Sequence, residues 1–302
     1  LIGWLEKERS VRKIIKHARL DRFNFVIQRN SGLRYSMNAT LTSRLLSLAR
    51  GDTASQSRWL GDKSVTALLP LVIGIVLGCG VYGFALGLGR APLMACFVAV
   101  KMPLLIFLTL GVNGLINGMF GALLGSGMSF RQTLQACLMS FALFALIVGS
   151  LSPIMIGMAL DRPADGTAEL TGWYRLFLLS NTAGIAFAGI IANHKLLRLI
   201  EAFSGSRTAA WRTLLAWLAG NLFVGAQLSY ILRPFFGNPE LPVAFLRPDP
   251  FEGTFYEAVW SMIVASLPEN RGPMIPLLVL LLCLLIKLGS SFFRNLSRLA
   301  KL

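Results

Sequence analysis

The chain has 302 residues, 55% of them hydrophobic and only 14% charged, whereas soluble domains carry about 45–50% apolar and about 25% charged residues; a water-facing globule is excluded. A formal charge of +15 would point to nucleic acid in a soluble protein. In a chain this apolar it is a topology signal, because cytoplasmic segments of membrane proteins collect Lys and Arg, and no nucleic-acid partner is expected.

Residues 1–63 are polar and basic. Trp4, Val11, Ile14, Ile15 and Leu20 recur at helical spacing, with Lys7, Arg9, Arg12, Lys13, Lys16 and Arg19 between them, which is the pattern of a basic amphipathic helix. Such a helix suits either the anionic cytoplasmic leaflet or a protein partner. No apolar run in this segment is long enough for a signal peptide.

Beyond it the apolar residues fall in blocks of about 20, the length that crosses a ~30 Å hydrocarbon core. Six spans are expected, at 65–88, 102–124, 132–155, 173–192, 214–232 and 274–293. The apolar run 91–125 would measure about 52 Å as one helix. A break is therefore expected at Lys101-Met102-Pro103, since proline favours the first turn of a helix. Residues 91–100 would then be interfacial, with Lys101 snorkelling its ammonium to the surface and Lys287 doing the same in the last span.

Segment 233–272 alternates Pro234, Pro239, Pro242, Pro248 and Pro250 with Phe235, Phe236, Phe245, Phe251 and Phe255. Proline blocks regular structure while the aromatics demand burial or the headgroup zone. An ordered external cap is expected, with one helix at 254–267 too short to cross.

Charge placement orients the spans. With the N-terminus inside, the segments 1–63, 194–212 and the C-terminal tail are all basic. The opposite side carries Arg90, Lys101, Arg162, Arg175, Arg233, Arg247 and Arg271, balanced by acids that include Asp161, Asp165 and Glu169. The expected fold is all-α: a polytopic transmembrane bundle of about six spans with both termini cytoplasmic.

Polar groups within a bilayer are functional candidates, but no Asp or Glu occupies the middle of any expected span. Asn113 and Asn117 share a helix face; Asn181, Asn221 and Gln227 lie in later spans. These side chains either hydrogen-bond neighbouring helices, at ~0.6 kcal/mol each, or line a polar path. Gly74 and Gly78, Gly114 and Gly118, and Gly121 and Gly125 have the small-residue spacing that lets helix backbones approach closely. Cys79, Cys96, Cys137 and Cys283 sit in apolar blocks without CxxC spacing and serve as packing residues. His17 and His194 lack clustered co-ligands. Glu252 and Glu257 suit solvation or ion pairing. No catalytic residue, cofactor site or metal site is expected, and the chain is not expected to be an enzyme.

The stretches Lys101–Leu110 (KMPLLIFLTL), Met128–Leu134 (MSFRQTL) and Gly225–Pro239 (GAQLSYILRPFFGNP), followed by Phe255-Tyr256-Glu257, resemble a family of uncharacterised bacterial multi-spanning proteins, itself loosely similar to the Yip-type membrane proteins. The resemblance covers roughly 65–267, implies a helical bundle in the bacterial cytoplasmic (inner) membrane, and carries over no site residue. The expected function is a non-catalytic scaffold, anchor or subunit of a larger membrane assembly, in contact with anionic lipids and with copies of itself or other subunits. The alternative is a passive channel or transporter through the second, fourth and fifth spans.

Overall fold

The computed structural model describes residues 41–51, 53–62, 64, 67–164, 166–236 and 243–265. The basic arm from Lys7 to Arg19 and the sixth expected span at 274–293 lie outside the described residues. The chain divides into two compact units between Arg58 and Trp59. Of the first, the described part is α1 (Leu41–Arg50) and most of α2 (Thr53–Gly61). The second contains α3 (Leu69–Leu88), α4 (Pro92–Leu123), α5 (Phe130–Leu160), α6 (Ala168–Ser204), α7 (Arg207–Ile231) and α8 (Phe255–Ala265).

The described residues form helices and no strands. Five helices, α3 to α7, are long and apolar enough to cross a membrane. In hydrocarbon only a helix or a closed barrel satisfies every backbone group, so apolar blocks of this length fold as helices. The helix ends carry their own chemistry. Ser129 and Gln132 form a reciprocal capping box at the start of α5. Gly205, at φ 63°, ends α6, and the Ser206 side chain caps α7 by accepting from the Ala209 N–H at 3.4 Å. With two residues between them, α6 and α7 are joined as a helical hairpin.

Helix α3 is the hub, packed between α4 and α5; α7 lies on α4, and α6 touches both α5 and α7. Its buried face carries Leu71, Ile75, Cys79, Tyr82 and Leu86. Small residues allow the close crossings. A Cβ on Gly78 would collide with the Ala145 backbone of α5, and one on Gly149 of α5 would lie 2.9 Å from the Gly78 Cα. On the other side, a Cβ on Gly83 would come within 2.5 Å of the Val98 carbonyl oxygen, and one on Gly87 within 2.5 Å of that of Met94. Gly74 is also buried. Close backbone approach through small residues is how helices associate where lipid is as apolar as leucine.

Two expectations need correction. Helix α4 does not break at Lys101-Met102-Pro103; it continues through Pro103 for 32 residues, about 48 Å. The break expected from the length of the run and from Pro103 does not form, and Lys101 does not snorkel to the surface. It is fully buried, with its ammonium donating to the Pro234 carbonyl at 2.6 Å. Gly125 is not a packing glycine. It has φ +76° and no neighbour for an added Cβ, so it makes the left-handed turn that ends α4.

Candidate functional site

The polar span residues separate into three places. The first is a three-asparagine cluster between α4 and α7. Asn113 and Asn117, four residues apart on α4, each donate from Nδ2 to Asn221 Oδ1 on α7, both at 3.1 Å. Asn117 Nδ2 also approaches Cys137 Sγ on α5 at 3.9 Å. Trp217, one turn before Asn221, donates from Nε1 to the Asn117 carbonyl at 2.7 Å. Gly220 and Gly225 provide the room: a Cβ at Gly220 would stand 3.6 Å from Asn113 Oδ1 and 3.8 Å from Asn117 Oδ1, and one at Gly225 3.7 Å from Thr109 Oγ1. Asn113 and Asn117 are fully buried, and their Oδ1 atoms have no hydrogen-bond partner among the described residues.

The column continues down α4 with the expected glycines. A Cβ on Gly114 would come within 2.7 Å of Leu134, and one on Gly118 would collide with Phe130. At Gly121 an added Cβ would lie 3.2 Å from Ser126 Oγ, Thr133 Oγ1 and the Trp217 ring alike. Gly114, Gly118 and Gly121 are thus intrachain packing positions.

The second place joins α3 to α6, where Tyr82 donates its hydroxyl proton to Asn181 Oδ1 at 2.9 Å. The third joins α7 to the cap, where Gln227 Oε1 accepts from the Phe255 N–H at 3.0 Å.

The cap itself is ordered over its described residues. Lys101 Nζ lies 5.0 Å and 5.7 Å from the ring centroids of Phe245 and Phe235, an arrangement in which the ring quadrupoles attract the cation. Tyr230 has Arg233 over its ring at 3.5 Å and Arg247 at 4.8 Å. The Arg247 guanidinium also donates to the Pro250 carbonyl at 3.0 Å and to that of Glu252. Helix α8 opens with a capping box: Glu257 Oε2 accepts from the Thr254 N–H at 2.9 Å, and Thr254 Oγ1 accepts from the Glu257 N–H at 3.1 Å. Tyr256 stacks on Phe223 at 4.8 Å and donates to its carbonyl at 2.6 Å, which seats α8 on α7. Glu257 is therefore a capping residue. The Pro and Phe alternation foretells this ordering; which backbone carbonyl receives Lys101 has no local signal.

A cavity of about 610 Å³ lies between α5, α6 and α7. Phe141, Phe144, Ile190 and Leu218 are among its apolar walls; Asn193, His194 and Trp211 also border it, and Cys137 and Asn221 connect it to the asparagine cluster. A second cavity of about 520 Å³ runs along α4 and α5 past Gly111, Gly114 and Leu134.

The arrangement as a whole holds amides, hydroxyls and two buried thiols, Cys79 and Cys137. Among the described residues no three His, Cys, Asp or Glu side chains gather as a metal site would require. Sequence reasoning identifies the asparagines but misses Tyr82, Trp217, Gly83, Gly87 and Gly149. Gly83 and Gly87 do carry the small-residue spacing, as do Ala145 and Gly149; Tyr82 and Trp217 have no such signature. No protein family, curated protein or solved structure matches the chain.

Proposed function

We propose that this chain is a non-catalytic component of a membrane assembly: a scaffold, anchor or subunit in the bacterial cytoplasmic membrane. One observation carries the reading. Each amide expected to line a route, Asn113, Asn117, Asn181, Asn221 and Gln227, makes a hydrogen bond to another part of its own fold. Amides used in this way hold helices together at ~0.6 kcal/mol per bond. They are also dispersed, at three separate contacts, where a conducting path needs a continuous file of polar groups. No Asp or Glu lies within the hydrophobic stretches of α3 to α7, and proton- or ion-coupled carriers depend on such groups.

Six spans with both termini cytoplasmic remain the topology we favour, because the basic residues of 1–63, 194–212 and the C-terminal tail then share one face. Lipids of the anionic leaflet and other subunits, whether copies of this chain or different ones, are the partners this reading calls for.

Two measurements test it. Cross-linking in native membranes before solubilisation should trap the chain with a second polypeptide, and the full chain in sealed liposomes should pass ions and small neutral solutes no faster than protein-free liposomes. A chain that stays monomeric without a cross-linked companion, or that accelerates solute flux, overturns the proposal.

A further inference from the structure

From the cavity between α5, α6 and α7 we infer that this face is a binding site for one acyl chain of an anionic phospholipid, with its headgroup at the α6–α7 turn. The inference is independent of whether the chain is a scaffold.

The depth of the cavity fits a lipid. Helix α6 has 37 residues, about 55 Å, so it outreaches a ~30 Å hydrocarbon core. Its apolar stretch gives way at Asn193, His194, Lys195 and Arg198, which marks headgroup depth. Asn193, His194 and Trp211 border the cavity at that level, and tryptophan favours the headgroup zone. From there the cavity runs to Ile185 on α6 and Leu222 on α7, about 14–17 Å deeper along the helices.

Outside Ser140, Asn193, His194 and Asn221 the lining is largely apolar and poorly suited to water. A bound water needs about 2–4 polar partners, and Phe141, Phe144, Ile190 and Leu218 offer none. At about 610 Å³ the space is within the ~300–1,000 Å³ of ordinary ligand sites, and in a bilayer the material available to fill it is alkyl chain. Gly189 lies on the wall, and a Cβ there would meet nothing within 4 Å. The charge at the mouth selects the headgroup. Arg198, one turn beyond His194, and Arg212, next to Trp211, are both exposed; Lys195 and Arg207 add to them, against the single acid Glu201. Basic residues at this depth attract anionic lipid.

The test uses the full chain in phosphatidylcholine liposomes containing a trace of phosphatidylglycerol with a photoreactive diazirine on one acyl chain, and phosphatidylcholine carrying the same diazirine for comparison. Adducts are mapped by mass spectrometry. Adducts should concentrate on the α5–α7 peptides around Phe144, Ile190 and Leu218, with phosphatidylglycerol preferred on the order of fivefold or more. Gly189→Phe, which fills the cavity, should lower these adducts about tenfold while leaving those on exposed Leu77 and Leu115 unchanged. Arg198→Gln with Arg212→Gln, both at exposed positions and so independent of the fate of the first variant, should bring the two lipids to near parity. Labelling no denser than at Leu77 and Leu115, equal labelling by the two lipids in the unaltered chain, or a photoreactive residue at position 190 that captures residues 274–293 or a second copy in place of lipid would overturn the inference.

Discussion

Replacing Asn221 by leucine removes the acceptor shared by Asn113 and Asn117, both at 3.1 Å, while keeping the branched shape and the number of side-chain heavy atoms. Two inter-helix bonds at ~0.6 kcal/mol each set a floor of about 1.2 kcal/mol. The donors left behind add to it, because a buried polar group without a partner costs about 1–3 kcal/mol. Asn117 keeps its approach to Cys137 Sγ at 3.9 Å, but Asn113, whose Oδ1 is already unpartnered, loses its remaining bond. The expected loss is about 2–3 kcal/mol, or a fall of about 5–10 °C in apparent midpoint. A thiol-reactive fluorophore reads the transition directly, since Cys79 and Cys137 are buried while Cys96 is exposed; Cys96 and Cys283 are replaced by serine in the background chain. Removing all three amides together, as Asn113→Leu, Asn117→Leu and Asn221→Leu, should bring the midpoint back to within about 1 kcal/mol of the starting protein, because replacing both partners of a buried bond by apolar groups is nearly neutral. An unchanged midpoint for the single variant, or a triple variant worse than the single one, would refute the idea that the three side chains act as one network.

Gly78→Leu should destabilise by about 1–3 kcal/mol or prevent folding through overpacking, because its added atoms meet the Ala145 backbone; Gly111→Leu, where nothing lies within 4 Å, should fold normally by size-exclusion chromatography and the same thiol assay. Lys101→Met should release the cap by removing the bond to the Pro234 carbonyl at 2.6 Å, and with charged hydrogen bonds contributing about 1.5–3 kcal/mol, limited proteolysis around 243–253 should speed up by about ten- to a hundredfold. Thr254→Ala should weaken α8 by about 0.5–2 kcal/mol, read as faster amide hydrogen exchange over Phe255–Ala265, while α3 exchanges as before. Tyr82→Phe should lower the thermal midpoint by about 1–4 °C, as one buried hydrogen bond to Asn181 is lost.

Helix α4 shows where local information stops. Its apolar length, its proline and its lysine are all visible in the chain, and together they favour a break. A lysine on an isolated helix must carry its ammonium to water, and a proline removes one backbone donor. Both arguments treat the helix as alone in lipid. In the folded chain, residues more than a hundred positions away, Pro234 and Phe245, supply the carbonyl and the ring that water would otherwise replace. Gly125 errs in the same way. Spacing alone makes it the partner of Gly121, but spacing carries no φ, and its φ of +76° turns it from a packing residue into a turn.

What the linear pattern establishes is what hydrocarbon and backbone chemistry decide locally: helices and no strands among the described residues, five apolar blocks there at membrane-crossing length, a short cap helix, and amides worth attention at Asn113, Asn117 and Asn221. Each of these depends on neighbours within a few turns, so composition and period suffice. Which amides meet, that Asn181 answers to Tyr82 and Gln227 to the Phe255 N–H, which glycines bear the crossings, and the cavity between α5, α6 and α7 depend on how whole helices lie against one another. That choice is made by van der Waals fit between distant surfaces, and it leaves no trace in any single window of the chain.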